Sequence, residues 1–147
     1  MSLNLEFKKK KLIKELKRRD FTFDLISEKK HSTTFGSYQM IGEWKCIITL
    51  TLLDTTADLI FFNLGPLNNN YIDADHTEEV LLEFFNFCNS KNSMFVVYID
   101  KDKDIIARST SFSNEFDAEQ YLNQALEVHS LLINYCPIIM PFIKEDE

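Results

Sequence analysis

Three groups of side chains in this 147-residue chain have the types and spacing to do chemistry. Asp73, Asp75 and His76 form a local cluster of acid and imidazole, donors that accept hard or borderline cations. A working metal site takes three or four ligands, and no second His or Cys cluster is near in sequence. These residues are therefore expected to cap and solvate the loop before a helix. Asp100, Asp102 and Asp104 alternate as the first oxygen ligands of a calcium loop do. The pattern then breaks, because Ile105 stands where the loop needs Gly and Ser111 where it needs a bidentate Glu. A charged hairpin tip is the expected reading.

The third group is the thiols. Cys46, Cys88 and Cys136 are odd in number, far apart and each set in an apolar run, whereas a thiolate nucleophile needs a base and an electropositive, exposed setting. They are expected as reduced core residues in a reducing compartment. His31 is placed on a strand edge, and His129 on an apolar helix face as a hydrogen-bonded core residue. No G-x-S-x-G, H-E-x-x-H, C-x-x-C, P-loop or dinucleotide fingerprint occurs. The sequence thus predicts no catalytic residue, no metal and no cofactor.

The elements that must position these groups begin with composition. Thirteen Phe stand beside five Tyr and one Trp, which supplies burial without polar handles, and three Gly leave little for a phosphate loop. The first twenty residues carry eight basic groups against Glu6, Glu15 and Asp20, a balance of +5, so a net charge of −7 leaves −12 on the remainder. An acidic body repels nucleic acid. No apolar stretch approaches the roughly 18 residues of a membrane span. The expected setting is the cytoplasm.

A basic helix is expected over residues 7–19, where Leu12, Ile13 and Leu16 form a short stripe and Lys9 falls in line with it, so that only the second half packs. The run Lys8 to Lys11 is expected to be a solvated face. Strands follow at 33–40, at Trp44–Leu53, where apolar and polar residues alternate, and at 58–64, with residues 21–26 as a short edge strand. Asp75 or Thr77 caps a helix with Val80, Leu81, Phe84, Phe85 and Cys88 on one side. Residues 94–99, apolar on both faces, predict a central strand; 100–104 turn and 105–112 return. Asp117 with Gln120, and Phe116 stapled onto Tyr121, start a last helix that Pro137 and Pro141 stop. The sum is one α+β domain over residues 1–147: an antiparallel sheet of about five strands flanked by helices, in the order α-β-β-β-α-β-β-α.

The segment Leu82 to Phe112, LEFFNFCNSKNSMFVVYIDKDKDIIARSTSF, resembles the YbjN family, itself similar in fold to type III secretion chaperones. The likeness lies in a helix ending in an Asn-x-x-Asn pair, Asn86 and Asn89, then a strand, an acidic turn and a second strand. A last helix ending near a proline, Leu122 to Pro137, also fits, and the N-terminal half matches by element order. The turn has Asp102-Lys103 in place of the usual Asp-Gly. Asn86 and Asn89 are expected to satisfy backbone groups at the helix end. The resemblance implies dimerisation and peptide or protein binding without catalysis.

The expected function is a non-enzymatic protein-binding module of YbjN or secretion-chaperone type. It would act as adaptor, chaperone or regulator of a partner polypeptide, as a homodimer, without nucleic acid or membrane. Phe84, Phe85 and Phe87 are the expected partner or dimer interface, Phe87 because it stands off the core stripe as a large exposed aromatic. The alternatives are an acidic inhibitor or immunity protein that blocks a basic toxin or enzyme, and after it a metal-dependent enzyme using Asp73, Asp75 and His76.

Overall fold

A computed structural model describes residues 3–41, 44–67, 77–90 and 94–143, with the side chains of Trp44, Phe84 and Cys136 among those outside the description. Leu5, Lys8, Leu12 and Leu16 recur three and four apart, which places them on one face of helix α1 (Leu3–Arg18), and all four are buried. The helix therefore packs along its whole length, not by its second half alone. What the apolar stripe could not show is that Lys8 belongs to it. Its ammonium donates to the carbonyls of Leu53 and Thr55 and to Oδ1 of Asp58, each at 2.8 Å. Asp58, equally buried, also accepts from the Leu53 amide at 3.1 Å. α1 ends in a Schellman arrangement: Phe21 N donates to the Leu16 carbonyl and Asp20 N to that of Lys17, with Asp20 at φ 57° in the left-handed position.

Four strands follow, β1 (Asp24–Glu28), β2 (Ser32–Ile41), β3 (Trp44–Leu53) and β4 (Ala57–Pro66). Helix α2 (Thr77–Ser90) precedes the hairpin of β5 (Val96–Ile99) and β6 (Asp104–Phe112), and α3 (Ala118–Ile139) leads to a 3-10 turn at Met140–Phe142. The sheet order is β1-β2-β3-β4-β6-β5, with every neighbouring pair antiparallel. This is the expected α+β sheet flanked by helices, with six strands in place of about five and the order α-β-β-β-β-α-β-β-α. The added strand is the short edge segment, displaced to Asp24–Glu28. A bulge between Leu25 and Ser27 inserts Ile26 and breaks the alternation that would have marked it.

Alternation divides the sheet into two faces. Cys46, Ile48, Leu50 and Leu52 of β3 and Ile60, Phe62 and Leu64 of β4 are buried on the inner face, in one core with the apolar stripes of α1 and α3. β5 corrects the expectation of a central strand: it is an edge strand, paired with β6 alone. Among the described residues, its second apolar side meets no covering helix. Val96 remains exposed there, and Tyr98 lies 5.5 Å from the Arg108 guanidinium.

The start of α3 follows the sequence closely. Asp117 Oδ1 accepts from the Gln120 amide at 3.2 Å, and the Phe116 and Tyr121 rings lie 5.6 Å apart. Its end does not, since the helix runs through Pro137 to Ile139. Placed in the last turn, Pro137 removes a single helical hydrogen bond, and the helix tightens to 3-10 only at Met140.

Replacing Lys8 with Ala should lower stability by about 3–5 kcal/mol at pH 7, because the buried Asp58 carboxylate loses its cation. Burial already holds the Asp58 carboxyl above its ordinary value, against the pull of Lys8 and the Leu53 amide. A carboxyl raised in the folded state binds more protons there than in the unfolded chain, so the deficit of the variant should shrink as pH falls through that window. Urea unfolding at several pH values measures this. A deficit independent of pH would place its source elsewhere.

Candidate functional site

Asp73, Asp75 and His76 lie outside the described residues. Among the described residues, no three of His, Cys, Asp and Glu gather within reach of one metal ion. Asp100, Asp102 and Asp104 form the tip of the β5–β6 hairpin. There Asp100 Oδ1 accepts from the amides of Asp102 and Asp104, both at 2.9 Å, so this carboxylate serves the turn. Lys103 adopts φ 66°, the left-handed position that Gly fills in an Asp-Gly turn. His31 sits in the β1–β2 turn, not on a strand edge, with Nδ1 3.6 Å from Asp54. Cys46 and Cys88 are buried, and desolvation pushes their thiols up to about 12 and about 11, far from thiolate chemistry.

What the architecture displays is contact surface. α1 and α3 pack on the inner face of the sheet; among the described elements nothing packs on the outer one. Tyr38 and Met40 of β2, Ile47 of β3, Val96 of β5 and Phe112 of β6 all project there, Tyr38 with 64% and Phe112 with 77% of its surface exposed. On the inner side, a groove of about 100 Å³ runs between α3 and the end of β2, lined by Phe21, Phe23, Gln39, Leu126 and His129 among others. On α2, Cys88 and Phe85 join the core, while Phe87 is 40% exposed.

The sheet edges are treated differently. In an antiparallel ladder, a residue that bonds one neighbour turns its backbone groups away from the other. The Asp100 amide bonds the Asp104 carbonyl, so by alternation Tyr98 and Val96 bond β6 and the backbone of Val97 points off the sheet. Asn89 takes both groups: the Val97 amide donates to its Oδ1 at 2.8 Å, and its Nδ2 donates to the Val97 carbonyl at 3.4 Å. Asn89 thus plugs a strand edge, where the sequence suggested that it served the helix end. At the other side, alternation from the Asp54 amide on the His31 carbonyl turns Met40 away from β3, and His129 Nε2 donates to the Met40 carbonyl at 2.7 Å. The histidine is a positioning hydrogen-bond donor at an edge, only partly buried.

No family model matches this chain, and no curated protein matches it. Solved structures do. A chain in the structure described as the ExsC–ExsE complex is 12% identical over 91% of this chain and 96% of that one, with a TM-score of 0.53. A chain in the HopA1–SchA chaperone–effector complex is 13% identical over 91% and 95%, with a TM-score of 0.57. The fold is type III secretion chaperone-like. At such low identity the chaperone-like fold is shared while the surface residues are this chain's own, so the plugged edge and the bare outer face are read from its own geometry.

Replacing Asn89 with Ala should cost about 1–3 kcal/mol, since it strands two backbone groups of Val97. It should also open the β5 edge to pairing between copies. Sedimentation at rising concentration is expected to show added self-association relative to the native chain. An unchanged profile and unchanged stability would mean that Asn89 does not guard the edge.

Proposed function

We propose that this chain is a non-enzymatic protein-binding module of secretion-chaperone or YbjN type that holds a partner polypeptide as adaptor, chaperone or regulator. The reading is carried by the bare outer face of the sheet. Scattered exposed apolar residues are ordinary on any protein, but Tyr38, Met40 and Ile47 are neighbours on two paired strands, which makes a contiguous patch. Each is already partly covered, so burying the remainder is worth roughly 1 kcal/mol per side chain. Among the described residues, the groups that might have served catalysis are occupied otherwise: the Cys46 and Cys88 thiols by the core, His129 by the Met40 carbonyl, and Asp100 by its turn. The similarity to a chain from a chaperone–effector complex supports the same reading. The buried thiols support a reducing, cytoplasmic setting.

We further propose that the chain works as a homodimer in which α2 contributes Phe84, Phe85 and Phe87. The half-exposed Phe87 beside the core residue Phe85 supports that placement. Replacing Phe87 with Ser is expected to lower the solution mass towards that of one chain, as read by light scattering. Unchanged mass together with an unchanged set of co-purifying partners would remove Phe87 from the interface.

The outer face is tested by the double variant Tyr38→Thr, Ile47→Thr. Thr keeps strand propensity and sets no like charges across this directly opposed pair, so the urea midpoint should stay close to the native value while a partner that co-purifies with the native chain is lost. A folded double variant that keeps every partner would refute the outer face as the contact. Association whose rate collapses with added salt would instead favour the acidic-inhibitor reading.

A further inference from the structure

One row of residues crosses the outer face from β2 to β5. Tyr38 stands opposite Ile47, Ile47 opposite Asn63, Asn63 opposite Ile106 and Ile106 opposite Tyr98, so a tyrosine closes each end of the row. Directly opposed residues of antiparallel strands share a face, which puts all five side chains on the outer one. Each tyrosine ring carries a cation: Lys45 Nζ lies 4.3 Å from the centre of Tyr38, and the Arg108 guanidinium 5.5 Å from that of Tyr98. Both cations are exposed, and among the described residues neither makes an ion pair.

The floor between them is Ile47, Phe61 and Ile106, with the Asn63 side chain committed to the Gly65 amide and to Asp104. Carboxylates are scarce here, although the chain has a net charge of −7. On the described strands the outer face holds Asp104, which accepts from Asn63 Nδ2 at 3.0 Å, and Asp24, out on the β1 edge. We infer that this face takes a mostly apolar, extended segment of a partner polypeptide with a carboxylate at each end, one on Lys45 and the other on Arg108. This rests on the protein-binding reading above and deepens it by naming the partner's chemistry at that face.

The spacing sets the length of the segment. Lys45 lies four residues along β3 from Thr49, which is in line through Phe61 with Arg108. At about 3.4 Å per residue and about 4.8 Å per strand, the two backbones are roughly 17 Å apart. An extended chain covers about 13 Å between residues i and i+4 and turns both side chains to one face, and the reach of two glutamates supplies the rest. The central residue then falls over the apolar floor. Cations already seated on rings are partly ordered, so pairing with them costs less side-chain entropy than pairing with free lysines. Two copies face to face would instead crowd two Lys45 and two Arg108 into one interface, a like-charge arrangement that opposes association.

The test is titration of the full-length, ¹⁵N-labelled chain with the acetylated, amidated peptides Glu-Leu-Phe-Leu-Glu and Lys-Leu-Phe-Leu-Lys. The acidic peptide alone should give saturable shifts at the amides of Ile47, Phe61 and Ile106. Lys45→Gln with Arg108→Gln should weaken it about fivefold, the worth of two exposed ion pairs, and Lys45→Glu with Arg108→Glu should turn the preference to the basic peptide. Lys45 stands opposite Met40, and Arg108 opposite Phe61 and Val96, so neither variant sets like charges across a strand pair and both should keep the native spectrum elsewhere. Binding of neither peptide, equal binding of both, or unchanged affinity in the folded Gln variant would each overturn the inference. A fall in solution mass on Tyr38→Thr, Ile47→Thr would also overturn it, by giving the face to a second copy. If that Thr variant loses the natural partners while the Gln variant keeps them, the carboxylate pairing fails and the protein-binding reading stands; partners kept by the Thr variant would sink the reading itself.

Discussion

The ammonium of Lys8 joins three parts of the molecule at one point. It carries α1, reaches two carbonyls and a carboxylate around the β3–β4 turn, and lies 5.8 Å from the ring of Phe116 at the entry to α3. A lysine can be buried only if each of its protons finds an acceptor and its charge a counter-ion. Here both conditions are met by one short segment of chain, Leu53 to Asp58, which fixes where along the sheet the first helix can sit. The apolar stripe of α1 supplies cohesion without position; the ion pair supplies position.

With α1 and α3 both committed to the inner face, the sheet has a dry side and one that is bare among the described residues. The edges between them are finished by polar side chains from α2 and α3 instead of further strands. Asn89 holds both backbone groups of Val97, His129 the carbonyl of Met40, and Gln124 the carbonyl of Thr110. An amide side chain presents a donor and an acceptor as a peptide group does, so it can end a sheet where a neighbouring strand would extend it. Such plugs limit pairing between copies while leaving the outer face uncovered, an arrangement suited to a protein whose surface serves contact. The same economy explains the residues that resembled catalytic ones. Asp100 uses its carboxylate in the turn it begins, and Cys46 and Cys88 place their sulfur in the core.

Much of this was legible beforehand because it is local. The capping of α3 by Asp117, the staple of Phe116 on Tyr121, the alternation of β3 and the hairpin at Asp100–Asp104 each depend on residues within a few positions of one another. The misplaced features are those set by distant neighbours. Lys8 looked like part of a solvated basic run because its partner lies fifty residues on. β5 looked central because two apolar sides suggest two covering layers, yet the side of Val96 and Tyr98 is left open. The six-stranded sheet was undercounted by the strand whose alternation a bulge had erased.

By itself the sequence determined the α+β class, the succession of helices and strands apart from the bulged edge strand, and the absence of the familiar local catalytic motifs, since periodicity, capping and turn chemistry act over a few residues. Tertiary structure decided which strands became edges, which polar side chains plugged them, and which face of the sheet stayed bare. Those outcomes depend on hydrogen-bond parity across strands and on burial against distant elements, neither of which is written in any short stretch of chain.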